Sequence, residues 1–511
     1  MGSMTATEHT LETPSAFRKW MLLASVTLAT TIYGMTVLIV SVVLPQMQGT
    51  LSATPDQISW VMTFNILATA VVTPVTGWLT SRFGWRNVML NGVLGFIVAT
   101  LLCGQADSLE SLVVYRIFQG GFGAPLVPLA QAVLLDTFER RQHGLVTSIF
   151  GMGVVVGPII GPVFGGYLSE IYDWRWAFYM IVPFGVAGYL GLWVFLRDGG
   201  REFGSRFDWT GFLALSFAIS CLQLLLDRGE RLDWFESTEI LLEAALGIFA
   251  FYIFIVHSLT SRHPLLDPKN LLNRNYAIGL VIVLIYGMLN FTPMVMLPPM
   301  LKGIAGYPES VIGMLLSARG GGALIGFFLA VWVGKLDPRI GMVIGFGLLV
   351  WSGWHMMTFD MNVTSFDVGL SSAVQGLAVG ILWVPLTIAT FATIDKSKLA
   401  ETMSVFHLLR NVGSSIFISL SVTILVRTSS INYARMTEFI SPFNKLLGFP
   451  VNHTSFDISG VSGLAAISIE LDRQADMIGF LNAFGAFTFA SALALPLVLL
   501  VRMPRKSAAT Q

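Results

Sequence analysis

Between Gly144 and Gly166 the chain reads GLVTSIFGMGVVVGPIIGPVFGG, with Gly151, Gly153, Gly157, Gly161, Gly165 and Gly166 interleaved with Pro158 and Pro162. In water so many helix-weakening residues would argue for a loop. Every other position is apolar or small, however, and the stretch is long enough to cross a bilayer, where a helix satisfies its own backbone. It therefore reads as a membrane helix. Gly153, Gly157 and Gly161 recur every four residues, a smooth face that a second helix can approach almost backbone to backbone. Such a face serves either as a static packing seam or as a hinge. The backbone groups freed near Pro158 and Pro162 predict a bend, and need neighbouring helices or a cavity to satisfy them.

The rest of the sequence belongs with such a helix. Of 511 residues, 54% are hydrophobic and 12% charged, with a mean hydropathy of +0.72, which excludes ordinary soluble composition. Thirty basic residues balance thirty acidic ones, so nothing draws the whole chain to nucleic acid. Cys103 and Cys221 lie in separate apolar runs and read as buried thiols, with no metal site implied. Runs of spanning length fall at 20–45, 57–80, 87–105, 111–135, 143–168, 175–196, 209–226, 239–259, 276–300, 309–334, 340–358, 367–392, 400–426 and 477–501. The fold class is thus an all-α polytopic membrane protein of about fourteen spans. Arg82 and Arg86, Arg140 and Arg141, Lys335 and Arg339, and Lys396 and Lys398 all fall in loops on one side, which puts both termini in the cytoplasm.

The chain also repeats itself. Gly77-Trp-Leu-Thr-Ser-Arg82-Phe-Gly84 returns as Gly334-Lys-Leu-Asp-Pro-Arg339-Ile-Gly341, and at the same offset Gly123 and Val127-Pro128-Leu129 return as Gly380 and Val384-Pro385-Leu386. One shared offset argues for two homologous six-helix halves. The resulting division is a tail at 1–19, a first bundle at 20–200, two inserted helices at 201–262, a second bundle at 263–501 with an external loop at 428–476, and a tail at 502–511.

Polar residues inside apolar spans are expensive and mark function by default. Arg116 enters an otherwise apolar helix in Tyr115-Arg116-Ile-Phe-Gln119-Gly120; it either gates and relays protons or is held by backbone carbonyls. Arg319 precedes Gly320-Gly-Gly322, a smooth face suited to meet the Gly153–Gly161 face. Arg410 follows His407 in His407-Leu-Leu-Arg410-Asn411, near a helix end where it either snorkels or acts. Tyr33, Thr36, Gln119, Tyr286, Asn290, Gln375 and Trp383 are the polar and amphipathic residues expected to line a cavity between the halves. The candidate proton-carrying groups are Asp136 and Asp227, with His407 weaker; Asp227 and Arg228 at a helix end either anchor or couple. Gly77, Arg82, Gly84 and Arg86 form a tight cytoplasmic turn.

The fifth-span pattern GxxxGPxxGPxxGG, the fourth-span stretch from Tyr115 to Gly123, the turn Gly77 to Arg86 and Leu226-Asp227-Arg228-Gly229 together resemble signatures of the major facilitator superfamily. The resemblance covers Lys19 to Arg502 and is to its fourteen-span drug:proton antiporter-2 group, the EmrB/QacA-like exporters. It implies two six-helix bundles plus two inserted helices, and export of amphipathic or aromatic molecules across a bacterial inner membrane. No cofactor is implied beyond the proton gradient. The implied partners are substrate, protons and lipids, with a periplasmic adaptor and an outer-membrane channel as possible additions. By the same resemblance Arg116 is a gating cation, Gly153 to Pro162 a hinge, and Gly77 to Arg86 a latch between halves. Two departures stand out: Ser81 replaces a usual Asp in the latch, and Thr36 replaces the first-helix Asp that carries the proton. An uncoupled facilitator or lipid translocator is the alternative. No HExxH, paired-carboxylate or nucleotide-binding pattern supports an enzyme.

Overall fold

The computed structural model describes residues 15–197, 207–333, 337–441, 443–444 and 460–501. Gly334 and Lys335 of the repeated turn, residues 1–14 of the first tail, the second tail and the middle of the external loop lie outside them. Thirteen described helices are long and apolar enough to cross a membrane. With the 35-residue α1 (Ala16–Thr50) ahead of them there are fourteen long helices. They are α2 (Gln57–Phe83), α3 (Trp85–Gly104), α4 (Leu109–Thr137), α5 (Arg140–Ile171), α6 (Trp176–Phe195), α7 (Trp209–Arg228), α8 (Thr238–Thr260), α9 (Arg274–Gly303), α10 (Val311–Val333), α11 (Pro338–Met357), α12 (Ser365–Phe391), α13 (Lys396–Thr437) and α14 (Val461–Val498). Ser15, Ser108, Asn273 and Thr364 cap α1, α4, α9 and α12 with side-chain oxygens on early backbone N–H groups. Gly84 makes the α2–α3 turn at φ 80°, the left-handed region that favours glycine.

The packing repeats as the sequence does. In the first half α1 runs along α5 and α2 along α4; in the second α9 runs along α13 and α10 along α12. Each half has its own apolar core. The halves meet along two seams, α5 against α10 and α4 with the inner end of α2 against α13. The inserted pair α7–α8 leans on the second seam, where Leu215 and Ile219 pack with Ala70 and Leu408.

The glycine-rich helix α5 is unbroken through Pro158 and Pro162, and its four-residue glycine face does something other than expected. A Cβ on Gly153 would sit 1.9 Å from Thr27 of α1, one on Gly157 2.3 Å from the Thr31 carbonyl, and one on Gly161 3.0 Å from the Met35 carbonyl. That face is thus spent inside the first half, where Thr31 also donates to the Gly153 carbonyl at 2.8 Å. The opposite side of α5 faces the second half, with Gly151 against Phe327 and Ile159 against Gly320 of α10. Gly322, expected to meet the α5 glycine face, instead lies against the Ala373 carbonyl of α12. Periodicity reveals that a helix is approached closely; the partner is set by the whole bundle.

The external loop at 428–476 is also smaller than the sequence suggests, because the helices on both sides invade it. α13 has 42 residues, about 60 Å at 1.5 Å per residue and about twice a hydrocarbon core. The amphipathic stretch from Gly463 to Asp476 is the first part of α14. The two projections are tied together by Ser429 to Asp476 at 2.5 Å and Tyr433 to Ser468 at 3.0 Å. Arg473 adds a bond to the Ile304 carbonyl at 2.7 Å.

The closest approach in the second half supplies a test. A Cβ on Gly376 of α12 would fall 1.8 Å from the Arg319 backbone carbonyl of α10, whereas one on Gly313 meets nothing within 4 Å. Gly376→Val should destabilise the detergent-solubilised protein by about 1–3 kcal/mol or more, read as a lower melting temperature. Gly313→Ala should leave that temperature unchanged.

Candidate functional site

Arg116 is 1% exposed and sits wholly inside the first half. Its Nε donates to the Val61 carbonyl at 3.1 Å, and Nη1 donates to the amide oxygen of Gln119 one turn along. Gln119 in turn donates to Thr100 at 2.7 Å, and Asn65 donates to the Arg116 carbonyl at 2.8 Å. Gln119 is therefore a holder of Arg116 within the first bundle and not a cavity wall. Tyr33 donates to Thr69 at 3.3 Å, and the Thr36 hydroxyl is used on the Tyr33 carbonyl at 2.7 Å. Thr36 is 1% exposed, so the position of the missing first-helix acid is spent on local helix bonding.

The second half contains an equivalent charge. Arg319 Nη2 donates to the Asn290 side-chain oxygen at 2.7 Å and to its carbonyl, and Nη1 lies 2.8 Å from the Met294 sulfur. Beside it Gln375 is 1% exposed, and its amide nitrogen has no hydrogen-bond partner. Such a donor is costly to bury and marks a place where an acceptor can bind.

Where α13 of the second half meets α4 of the first lies an aromatic and basic cluster built from second-half residues. The Trp383 ring of α12 is 5.2 Å from Tyr286, 5.6 Å from Phe406 and 5.8 Å from His407. The Arg410 guanidinium lies 5.6 Å from the Trp383 ring centre and donates to Asn411 at 3.1 Å. His407 Nε2 reaches across to Gln131 of α4 at 2.8 Å, and Gln131 donates to Thr387 of α12 at 3.3 Å. Among the described residues none of Arg116, Arg319 and Arg410 has a carboxylate within ion-pair distance. The arrangement offers flat apolar faces and unneutralised positive charge, suited to an amphipathic or aromatic guest.

The halves are closed together at the ends that carry the basic turns. Asp136 at the end of α4 pairs with Lys396 at 3.1 Å, which puts it at the rim and not in the interior. Gly77 abuts Glu401 of α13 so closely that a Cβ would lie 2.8 Å from its Cα. Glu401 accepts from the backbone N–H of Asp267 at 2.7 Å and from Asn270 at 3.1 Å, and Lys398 pairs with Asp267 at 2.9 Å. These bonds lie within the second half; of the turn Gly77 to Arg86, Gly77 is the residue that meets it. Arg82 is exposed, and Arg86 is bonded to the Trp193 carbonyl of α6 at 2.9 Å, within its own half.

Asp227 and Arg228 part company at the outer end of α7. Thr63 of α2 donates to Asp227 at 3.0 Å, while Arg228 pairs with Glu239 at 2.7 Å and with Glu243, stapling α7 to α8. Asp227 is exposed, and neither residue is near the central cluster. At the inner end of the same hairpin, Asp208 caps α7, accepts from the Leu265 N–H at 3.0 Å and lies 2.7 Å from His257. Sequence reasoning missed Gln131, Thr387, Glu401 and Lys396. Gln131 had a signal, being an amide in an apolar span; the others become visible only when the halves are brought together.

The family-model comparison matches the Major Facilitator Superfamily over residues 26–418. "Multidrug export protein EmrB" of Haemophilus influenzae is 31% identical over 466 residues, 90% of this chain and 91% of that one. The protein of the same name in Escherichia coli strain K12 is 33% identical over 417 residues, 80% of each chain. "Fatty acid resistance protein FarB" of Neisseria gonorrhoeae is 29% identical over 474 residues, 91% of this chain and 92% of that one. Among solved structures, the human organic anion transporter MFSD10 (TETRAN) has a TM-score of 0.62 at 11% identity, covering 95% of this chain and 99% of that one.

The Asp267 strap gives a pH test. Burial raises the Asp267 pKa, but the hydrogen bonds from Lys398 and from the Lys269 N–H outweigh it and hold the carboxyl below its ordinary value. A lowered folded-state pKa means that the stabilisation is complete above about pH 4 and is lost as pH falls through the lowered value. Asp267→Asn should therefore lower the melting temperature at pH 7, with the difference from wild type narrowing as pH falls below about 4. Taken together, fold, repeat and relatives establish that the chain belongs to the major facilitator superfamily, among its EmrB-like members.

Proposed function

We propose that the protein is a secondary active exporter of the multidrug type, moving amphipathic or aromatic small molecules out of the cytoplasm in exchange for protons. It works in a bacterial inner membrane with both termini in the cytoplasm, needs no cofactor beyond the proton gradient, and catalyses no covalent chemistry. One observation carries the reading: the halves are joined at the Asp136–Lys396 pair, and a second-half cluster of Tyr286, Trp383, His407 and Arg410 reaches the first half through the bond from His407 to Gln131. A transporter that alternates access needs such a site at the seam of two pseudo-symmetric bundles. The names of the EmrB relatives support export of small molecules. The helical projection of α13 and α14 offers a place for a periplasmic adaptor that would lead to an outer-membrane channel. Thr36, whose hydroxyl is bound to its own helix, favours a second reading as an uncoupled facilitator or lipid-like translocator.

Everted vesicles separate the two. With ethidium, a neutral dye and a fluorescent fatty acid as probes, the exporter should show substrate-induced proton movement with at least one of them. Trp383→Ala should cut that transport about tenfold, the loss of about 1.4 kcal/mol of aromatic contact. Transport without any proton signal would establish the facilitator, and absence of transport for all three would reject both.

A further inference from the structure

The interior of an antiporter needs a group that takes and gives up a proton, and among the described residues the candidate carboxylates are already engaged. Asp136 lies at the cytoplasmic rim, Asp227 at the outer end of α7, Glu243 is paired with Arg228, and Glu401 is bound by the strap at Asp267 and Asn270. His407 is 2% exposed, stands where α4, α12 and α13 meet, and bridges the two halves. We infer that His407 carries the coupled proton, and that its bond to Gln131 makes protonation open the cytoplasmic side. This rests on the exporter reading.

The hydrogen bonding fixes the tautomer. Gln131 uses its amide nitrogen on Thr387, so its oxygen faces His407. An amide oxygen only accepts, and Nε2 of the imidazole therefore carries the hydrogen. Nδ1 is left as a bare nitrogen lone pair, buried and without a partner. It is an unshared lone pair at the junction of the halves, where a proton can bind. When an N–H bond forms there, the ring becomes an imidazolium that donates from both nitrogens, and its second N–H has no acceptor in the closed seam.

The surroundings set the direction. On its own helix the facing charge is Arg410, one turn along, which repels a second cation. From α12 the ring meets Trp383, with the uncharged Thr387 beyond Gln131; from α4 it meets Gln131; Tyr286 of α9 stands behind Trp383. A proton accepted in the cytoplasm-closed state thus has an aromatic face beside it but neither an anion nor an acceptor. Separating the cytoplasmic ends admits water to Nδ1 and moves the imidazolium away from the packed seam. The N–H bond then breaks toward the cytoplasm, and the neutral ring closes again on Gln131. Protons move inward along this cycle, the direction that export requires.

The test needs no substrate. In full-length protein in lipid nanodiscs, with Cys103 and Cys221 replaced by Ala, spin labels are placed at Arg141→Cys and Ser397→Cys, exposed positions on opposite halves. Pulsed dipolar spectroscopy should show a population at longer distance rising at least threefold between pH 8 and pH 5. His407→Gln should stay short at both pH values, and His407→Arg, which cannot lose its charge, should stay long at both. Gln131→Leu should raise the long-distance population at pH 8, a second reading that does not depend on His407 variants folding. An unchanged wild-type distribution, or a His407→Gln protein that shifts as wild type does, would overturn the proposal, since other histidines or carboxylates would then be responsible. A normal pH shift without transport of any probe would instead reject the exporter reading alone.

Discussion

The structure depends on helices meeting at backbone distance. A bilayer offers no hydrophobic gain for pressing one apolar helix on another, so contact must come from van der Waals packing and from bonds between polar backbone groups. Here the repeat unit of both halves is a pair of crossing helices with glycine at the contact: Gly153, Gly157 and Gly161 of α5 against α1, and Gly413 of α13 and Gly287 of α9 against each other's helices. Each pair is closed by a hydroxyl reaching across, Thr31 to the Gly153 carbonyl and Ser414 to the Gly287 carbonyl, both at 2.8 Å. Pairs of this kind hold each half together from within.

Rigidity within halves leaves motion for the seams between them. Apart from the close approach of Gly77 to the Glu401 backbone, the seam contacts described are of a different kind: side chains such as Phe327 and Ile159 against single glycines, the ion pair of Asp136 and Lys396, and the amide and imidazole of Gln131 and His407. Side-chain contacts of this sort separate at lower cost than backbone faces. Arg116 and Arg319 belong to the rigid parts, each held by carbonyl and amide oxygens of its own half. Their unneutralised charge remains as a field that favours negative character in whatever approaches.

Much of this was legible in the chain. Fourteen apolar runs, the offset repeat and the glycine periodicity lead to fourteen helices packed as two similar bundles, because span length and small-residue spacing are direct consequences of bilayer thickness and backbone approach. Partner choice was not legible. The Gly153–Gly161 face was assigned to the other half and belongs to α1, since periodicity names a face and not its neighbour. Gln119 read as a cavity residue because it is polar, yet polarity cannot say that both ends of its amide are used on Arg116 and Thr100. The start of α14 was foreshadowed by the amphipathic stretch from Gly463 to Asp476, whereas the extension of α13 to Thr437, polar in sequence, carries no hydropathy signal.

The central claim of the proposed export cycle is that transport requires the two halves to part at the ends joined by Asp136 and Lys396. Asp136 and Lys396 face each other across that gap at 3.1 Å, so cysteines placed at these two positions can be joined by oxidation in a background without the native thiols. The account predicts that oxidising Asp136→Cys/Lys396→Cys stops transport and that reduction restores it, while either single cysteine variant is indifferent to oxidant. Transport that continues at the reduced rate after complete cross-linking would contradict it.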